Sequence, residues 1–180
     1  ILVALVVAVG VAFRYWELSN LPHDVNSDHA EKLLDVRDVL QGQFHTFFER
    51  NTGREALQFY LTAGAISAFG LPLHSDSLKW FTAAIGLAIV PALYLLGTAL
   101  WGRAAGFWTA FIGAVSGWVV IPSRVGLRYP YLPTFAAWSL AFLVRGLRWG
   151  RRQDYLLMGL CLGLGLYGYS HSEGWSQRYR

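Results

Sequence analysis

The chain has few charged residues: Asp, Glu, Lys and Arg make up 14% of its 180 residues, whereas 54% of them are hydrophobic. In a soluble domain roughly a quarter of all residues are charged, and a disordered chain combines high charge with low hydrophobicity. The mean hydropathy of +0.36 fits neither of these classes. The composition therefore excludes disorder and argues against an ordinary soluble globule.

Acidic residues are missing from most of the second half of the chain. Neither Asp nor Glu occurs between Asp76 and Asp154, whereas eight of the eleven acidic residues lie within residues 17–55. The basic residues of the second half stand singly or in short clusters between apolar stretches, which argues against a nucleic-acid partner. The chain also has a single cysteine, Cys161, so no disulfide can form within it.

In place of charge, the chain has long apolar blocks. A helix needs about 20 predominantly apolar residues to cross a bilayer. The blocks therefore predict an all-α fold, namely a polytopic membrane helix bundle with external juxtamembrane helices. The predicted spans cover residues 1–16, 78–101, 106–122, 131–147 and 154–170.

The two ends of the chain suggest a piece of a longer protein. The sequence begins inside the first apolar block, without a Met. A signal peptide is the alternative for this block, although it shows neither a charged start nor a small-residue cleavage site. We expect residues 171–180 to form an irregular tail.

Residues 17–77 form the polar part of the chain and are too rich in carboxylates to cross lipid. Asp28 and Glu31 have the spacing of a capping box, which predicts a helix over residues 28–41. Three apolar residues form one stripe on this helix: Leu33, Val36 and Leu40. Such a stripe favours a helix that lies on the membrane surface. A second, more apolar surface helix is predicted over residues 57–71.

The distribution of arginines predicts the topology. Cytoplasmic loops carry an excess of Lys and Arg, so the cluster of four arginines within residues 145–152 should be cytoplasmic. Counting spans backwards then places residues 123–130 and 17–77 on the external side, provided that residues 57–71 do not cross. The predicted location is the cell inner (plasma) membrane, with several passes.

Asp28 and its neighbour His29 are the first candidate site residues. A carboxylate at the start of a helix is favoured in its ionised form by the free backbone N–H groups, so Asp28 is a candidate general base. The same position also suits a plain N-cap. His29, with His23 and Asp24 nearby, matches no strong metal-ligand spacing. We therefore assign no metal ligand, and binding of a divalent metal stays an open alternative.

Arginines near the predicted membrane surface are the second group of candidates. Arg54 precedes the second surface helix, and Arg124 and Arg128 lie four residues apart at the external end of a span, followed by Tyr129. A guanidinium at this depth suits a lipid phosphate. Interfacial anchoring of Arg and Tyr explains the same positions, so both interpretations stay open.

Several motifs recur in a familiar order along the chain. They are Ser27-Asp28-His29-Ala30, Asn51-Thr52-Gly53-Arg54-Glu55-Ala56-Leu57, Tyr94-Leu95-Leu96-Gly97, Ser123-Arg124-Val125-Gly126-Leu127-Arg128 and Gly163-Leu164-Gly165-Leu166-Tyr167-Gly168-Tyr169. Over most of residues 1–170 this order resembles the N-terminal part of the GT-C membrane glycosyltransferases. The resemblance is strongest to bacterial relatives of protein O-mannosyltransferases and of the lipid A aminoarabinose transferase.

The resemblance implies an enzyme that moves a sugar from a polyprenyl-phosphate donor to a protein or glycolipid acceptor on the extracytoplasmic side. Asp28 matches the family's candidate base, while His29 stands where the family has Glu. The residues that it implies for substrate binding are His29, Arg54, Glu55, Arg124, Arg128 and Tyr129. Tyr129 stands near the place of a second acidic residue in many relatives.

Two alternatives remain at this point. The first is a non-catalytic multispan membrane protein, such as a transporter piece or an assembly factor, although the predicted spans carry few of the ionisable residues typical of transporters. The second is that this piece by itself has no activity, because it lacks much of a groove for the lipid carrier. We expect the piece alone to be inactive.

Overall fold

The computed structural model describes residues 2–20, 27–50 and 54–168. Within these ranges the fold is all-α, as predicted, apart from one short antiparallel pair of strands. The helices are α1 (Leu2–Tyr15), α2 (Ser27–Leu40), α3 (Leu57–Phe69), α4 (Ser75–Leu87), α5 (Ile89–Trp101), α6 (Arg103–Val115), α7 (Gly117–Arg124), α8 (Tyr131–Trp149) and α9 (Arg152–Gly168). The strands are β1 (Phe47–Phe48) and β2 (Arg54–Glu55). The predicted irregular tail lies outside the described residues.

The polar part of the chain forms the two helices that the sequence predicted. Helices α2 and α3 begin and end close to the predicted bounds of 28–41 and 57–71. The buried face of α2 is rotated from the predicted stripe, because Val36 and Val39 are buried whereas Leu40 is exposed. Val36 and Val39 pack with Phe48 and Phe59, which joins α2, β1 and α3 in one hydrophobic core.

Length and apolarity set how many helices are able to cross a bilayer. Helices α4 and α5 form one continuous helix, Ser75–Trp101, of 27 residues, about 40 Å long at 1.5 Å per residue. It is the only helix in the described part of the chain that is long and apolar enough to span by itself. Helices α6 and α7 reach that standard only when taken together, and α1 and α3 are shorter apolar helices. The larger number of crossings therefore stays a prediction.

The helix over the predicted span 106–122 is broken, which the sequence analysis did not predict. Helices α6 and α7 meet at an angle of 46°, and Ser116 between them is extended, with φ −61° and ψ 123°. The fully buried guanidinium of Arg14 supplies a physical reason: it donates to the carbonyl oxygens of Gly113 (3.2 Å) and Ala114 (3.0 Å). These carbonyls belong to the last turn of α6, where no following N–H is available.

The helices of the bundle meet at two opposite ends. At one, which we call the α2 end, Arg124 of α7 donates to the carbonyl oxygens of Phe13 (2.7 Å), in the last turn of α1, and of Trp16 (2.8 Å), just after it. Tyr15 contacts Trp80 in the first half of α4. At the other, the arginine end, Arg148 of α8 donates to backbone carbonyls at the end of α5. Successive long segments therefore run in opposite directions between the two ends.

Candidate functional site

Helix α2 carries an acidic stripe that sequence reasoning missed. Its carboxylates stand at spacings of three, four and three residues: Asp28, Glu31, Asp35 and Asp38. This spacing places all four on one face of the helix. Two arginines from the β1–β2 segment, Arg50 and Arg54, pair with this face. The sequence analysis explains Asp28 and Glu31 as a capping box and Asp28 as a candidate base, but it does not place the four carboxylates on one face of the helix.

Asp28 and Arg54 form the centre of the candidate site. Arg54 Nη2 donates to Asp28 Oδ1, and the same nitrogen lies 3.8 Å from Glu31 Oε2. The Arg54 side chain is 6% exposed and that of Asp28 is 36% exposed. The buried arginine therefore holds a carboxylate that solvent or a substrate still reaches.

Lys32 is a second cation at Asp28, and the sequence analysis did not identify it. Its Nζ lies 3.7 Å from Asp28 Oδ2, one helical turn further along α2, and its side chain is 2% exposed. Burial, the main cause, lowers the pKa of Lys32 to about 7; Asp28 opposes this shift, and Arg54 and Arg128 add to it. Asp28 thus has a basic group on each of its two oxygens.

Glu55 and Arg128 tie the segment after α7 to the site. Arg128 Nη1 donates to Glu55 Oε2, across 73 positions of the sequence. The Glu55 side chain is 6% exposed and the Arg128 side chain is 25% exposed. We call the six groups that meet here the charged cluster: Asp28, Glu31, Lys32, Arg54, Glu55 and Arg128.

Gly126 is the structural centre of the segment beside this cluster. His29 Nε2 donates to the carbonyl of Val125 at 2.6 Å, and Gln58 Nε2 donates to the carbonyl of Gly126 at 3.0 Å. The φ of Gly126 is +78°, and a Cβ there would lie 3.3 Å from Lys79 Cγ. A side chain at residue 126 would therefore be strained and would crowd Lys79 of α4 and His29 of α2.

The structure gives the two other predicted site residues different surroundings. Arg124 donates to carbonyls at the end of α1, as described above, and its contacts there resemble those of a helix cap. Tyr129 is 53% exposed and lines a separate apolar cavity of about 120 Å³ beside Trp118 and Pro122. The hydrogen bonds of Arg124 described here are thus with α1, and Tyr129 lines a cavity apart from the charged cluster.

The described side chains of the site form no group of metal ligands. In the three described ranges, no group of three or more His, Cys, Asp or Glu side chains is placed to hold one. His29 uses Nε2 in its hydrogen bond to Val125, and His23 and Asp24 lie outside the described residues. The carboxylates of the cluster instead face basic groups, an arrangement that suits exchange with a ligand anion.

No protein-family model, no curated protein and no solved structure matches this chain. A function for this chain is therefore inferred from the residues of the site. The fold class by itself assigns no activity, because helical bundles host many unrelated functions.

Proposed function

We propose that the chain is part of an integral-membrane glycosyltransferase of the GT-C type in the plasma membrane. It takes a sugar from a polyprenyl-phosphate carrier and transfers it to a protein or glycolipid acceptor on the extracytoplasmic side. Asp28 is the general base, and Arg54 and Arg128 bind the carrier phosphate. His29 and Glu55 orient these groups through their contacts with Val125 and Arg128.

The observation that carries this proposal is the convergence of distant segments at one end of the bundle. Helix α2, strand β2 and the segment after α7 each contribute charged groups to the same cluster. Two buried or half-buried guanidinium groups beside an accessible carboxylate supply what the transfer needs: cations for a phosphate leaving group and an acceptor for a proton.

The proposed reaction is a single displacement at the sugar. The acceptor hydroxyl gives its proton to the Asp28 carboxylate, and its oxygen forms a bond to the anomeric carbon. The bond between that carbon and the phosphate oxygen breaks, and its electron pair stays on the phosphate. Arg54 and Arg128 stabilise the charge that develops there, as preorganised donors do at a leaving group.

Binding of the donor phosphate is also expected to change the contacts of Asp28. Without the donor, Arg54 donates a hydrogen bond to Asp28 and Arg128 donates one to Glu55. A phosphate that binds both guanidinium groups competes with these carboxylates for their N–H donors. Donor binding would therefore loosen Asp28 from Arg54 and make its oxygen available to the acceptor.

The surface of the bundle supports its place in a bilayer. Exposed tryptophans stand at both ends: Trp16 and Trp80 at the α2 end, and Trp101 and Trp149 at the arginine end. Interfacial aromatic residues commonly mark the two membrane surfaces. Large leucines along α9 are exposed as well, as suits contact with lipid. On this proposal the arginine end is cytoplasmic.

Binding of the carrier tests the proposal on this chain without requiring turnover. With the chain in lipid nanodiscs, we expect Arg128→Gln and Arg54→Gln each to weaken binding of undecaprenyl phosphate about tenfold or more, since each removes a charge-assisted hydrogen bond. Arg37→Gln, at an exposed position of α2, is the control and should bind like the parent chain. Equal affinity in all four proteins, measured by titration, would remove the cluster from the phosphate site.

A further inference from the structure

A second site lies along α2 from the charged cluster. A cavity of about 360 Å³ is open there between the second half of α2 and the residues around β1. We call it the α2 cavity, and its lining residues are Asp35, Asp38, Gln43, His45, Phe47, Phe48, Glu49 and Arg50. Its volume falls within the range of about 300–1,000 Å³ typical of ligand pockets.

The α2 cavity already holds one cationic side chain of this chain. Arg50 Nη1 lies 2.6 Å from Asp35 Oδ1 and 2.5 Å from Asp38 Oδ2. The Arg50 side chain is nevertheless 42% exposed. Because the Asp35 side chain is buried, moving Arg50 into water would leave an uncompensated carboxylate, so Arg50 leaves only when another cation takes its place. Arg50 therefore marks where a cation sits and is itself exchangeable.

Asp35 is left short of a hydrogen-bond donor. Its side chain is fully buried, and its Oδ2 atom accepts no hydrogen bond from any residue that the structure describes. A buried carboxylate oxygen without a donor costs free energy that a ligand N–H can recover. Burial raises the pKa of Asp35, with the hydrogen bond from Arg50 opposing that shift, which agrees with an incompletely satisfied carboxylate.

The remaining lining groups favour a cation over an anion. Glu49 adds a third carboxylate to those of Asp35 and Asp38, against the single guanidinium of Arg50. Phe47 and Phe48 supply aromatic surface in the same cavity, and arginine and lysine bind well beside aromatic rings. Once Arg50 moves out, the cavity presents carboxylates and rings suited to a basic side chain.

We propose that the α2 cavity binds an arginine or lysine side chain of a polypeptide acceptor, which takes the place of Arg50 between Asp35 and Asp38. The assignment to the acceptor rests on the proposed function. Asp35 follows Asp28 by seven residues on the same face of α2, about 10 Å along the helix axis. An extended peptide covers that distance in about three residues, so the basic residue lies about three positions from the hydroxyl that reacts at Asp28.

A matched pair of ligands tests the cavity directly. N-acetyl-arginine amide and N-acetyl-citrulline amide have nearly the same shape, but only the first is charged. With the whole chain in nanodiscs, we expect the arginine derivative to bind at least about tenfold more tightly. Arg50→Gln removes the internal competitor and should tighten its binding further. Ligand-observed NMR provides the affinities.

Variants of the lining residues complete the test. Asp38→Asn and Glu49→Gln should each weaken binding of the arginine derivative severalfold and leave the citrulline derivative unchanged. Glu49 is exposed, so its substitution should not disturb folding even where a change at Asp38 does. Asp76→Asn, which changes a carboxylate outside the cavity, is the control. Equal binding of both ligands, or no effect of Glu49→Gln, overturns the proposal.

The result is separable from the proposed function. If undecaprenyl phosphate binds through Arg128 but the arginine derivative does not bind, the acceptor site is wrong and the proposed function stands. If the arginine derivative binds through Glu49 but the phosphate does not bind, the cavity takes basic side chains and its assignment to an acceptor is overturned.

Discussion

At the scale of single residues, the candidate site consists of the Asp28 carboxylate and two buried basic side chains, those of Lys32 and Arg54. The sequence pointed to Asp28 and Arg54 because each stands at the edge of a predicted helix, where a charged group is exposed to headgroups and backbone N–H groups. It did not point to Lys32, because nothing in the sequence around Lys32 distinguishes it from an ordinary solvated lysine. Only the fold shows that this side chain is 2% exposed and lies against a carboxylate.

The lowered pKa of Lys32 gives a pH dependence with a defined sign. The pKa of Lys32 in the folded chain, about 7, lies below the ordinary lysine value of 10.5, so between these pH values the unfolded chain binds more protons than the folded one. The free energy of unfolding therefore rises with pH through this window. We expect Lys32→Met to remove this rise, by on the order of 1–3 kcal/mol.

Denaturation in mild detergent at pH 6 and pH 9, followed by circular dichroism, measures this difference. Arg37→Met, which changes an exposed position of the same helix, is the control and should keep the parent's pH dependence. The same rise in Lys32→Met as in the parent chain would mean that Lys32 is charged and solvated at neutral pH.

At the scale of helices, local signals predicted where α2 and α3 form but did not predict where α6 breaks. Caps and apolar periodicity are properties of neighbouring residues, so they are visible in the sequence. The break at Ser116 involves Arg14, about a hundred positions earlier, which donates to the carbonyls at the end of α6. In the sequence Arg14 is only a polar interruption of an apolar block.

Glycine shows the same limit, because the sequence does not reveal which glycines lie at a helix contact. Small residues permit close helix packing in membranes, and in α9 a Cβ at Gly165 would lie 3.0 Å from Phe135 Cβ, whereas a Cβ at Gly159 or Gly163 meets nothing within 4 Å. Glycines also lie at the contact between α5 and α6. A Cβ at Gly106 would lie 2.0 Å from Thr98 Oγ1 and 2.7 Å from the carbonyl oxygen of Tyr94.

Gly106→Val should therefore separate α5 from α6. Because one of the two clashes involves backbone, we expect a loss of roughly 1–3 kcal/mol in the free energy of unfolding, seen as a lower melting temperature in detergent. Gly159→Val places the same side chain into open space on α9 and should leave the melting temperature nearly unchanged. Similar losses in both variants would contradict the packing of α5 on α6.

At the scale of the whole molecule, the uneven distribution of charge anticipated the two ends of the bundle. The acidic part of the chain gathers at the α2 end, and the arginines of residues 145–152 lie at the opposite end, where Arg148 contacts α5. What no pattern revealed is the pairing of Glu55 with Arg128, because contacts over such separations depend on how the helices pack. The number of membrane crossings is likewise a property of the assembled bundle and its lipid.

The central claim is that Asp28 acts as the base in sugar transfer at the α2 end. The most direct measurement is transfer from a polyprenyl-phosphate sugar by membranes that contain the protein in its full reading frame, with Asp28→Asn compared to Asp76→Asn. Loss of a general base typically costs about a hundredfold or more. We predict a loss of that size for Asp28→Asn and none for Asp76→Asn. Equal transfer by both variants would contradict the account.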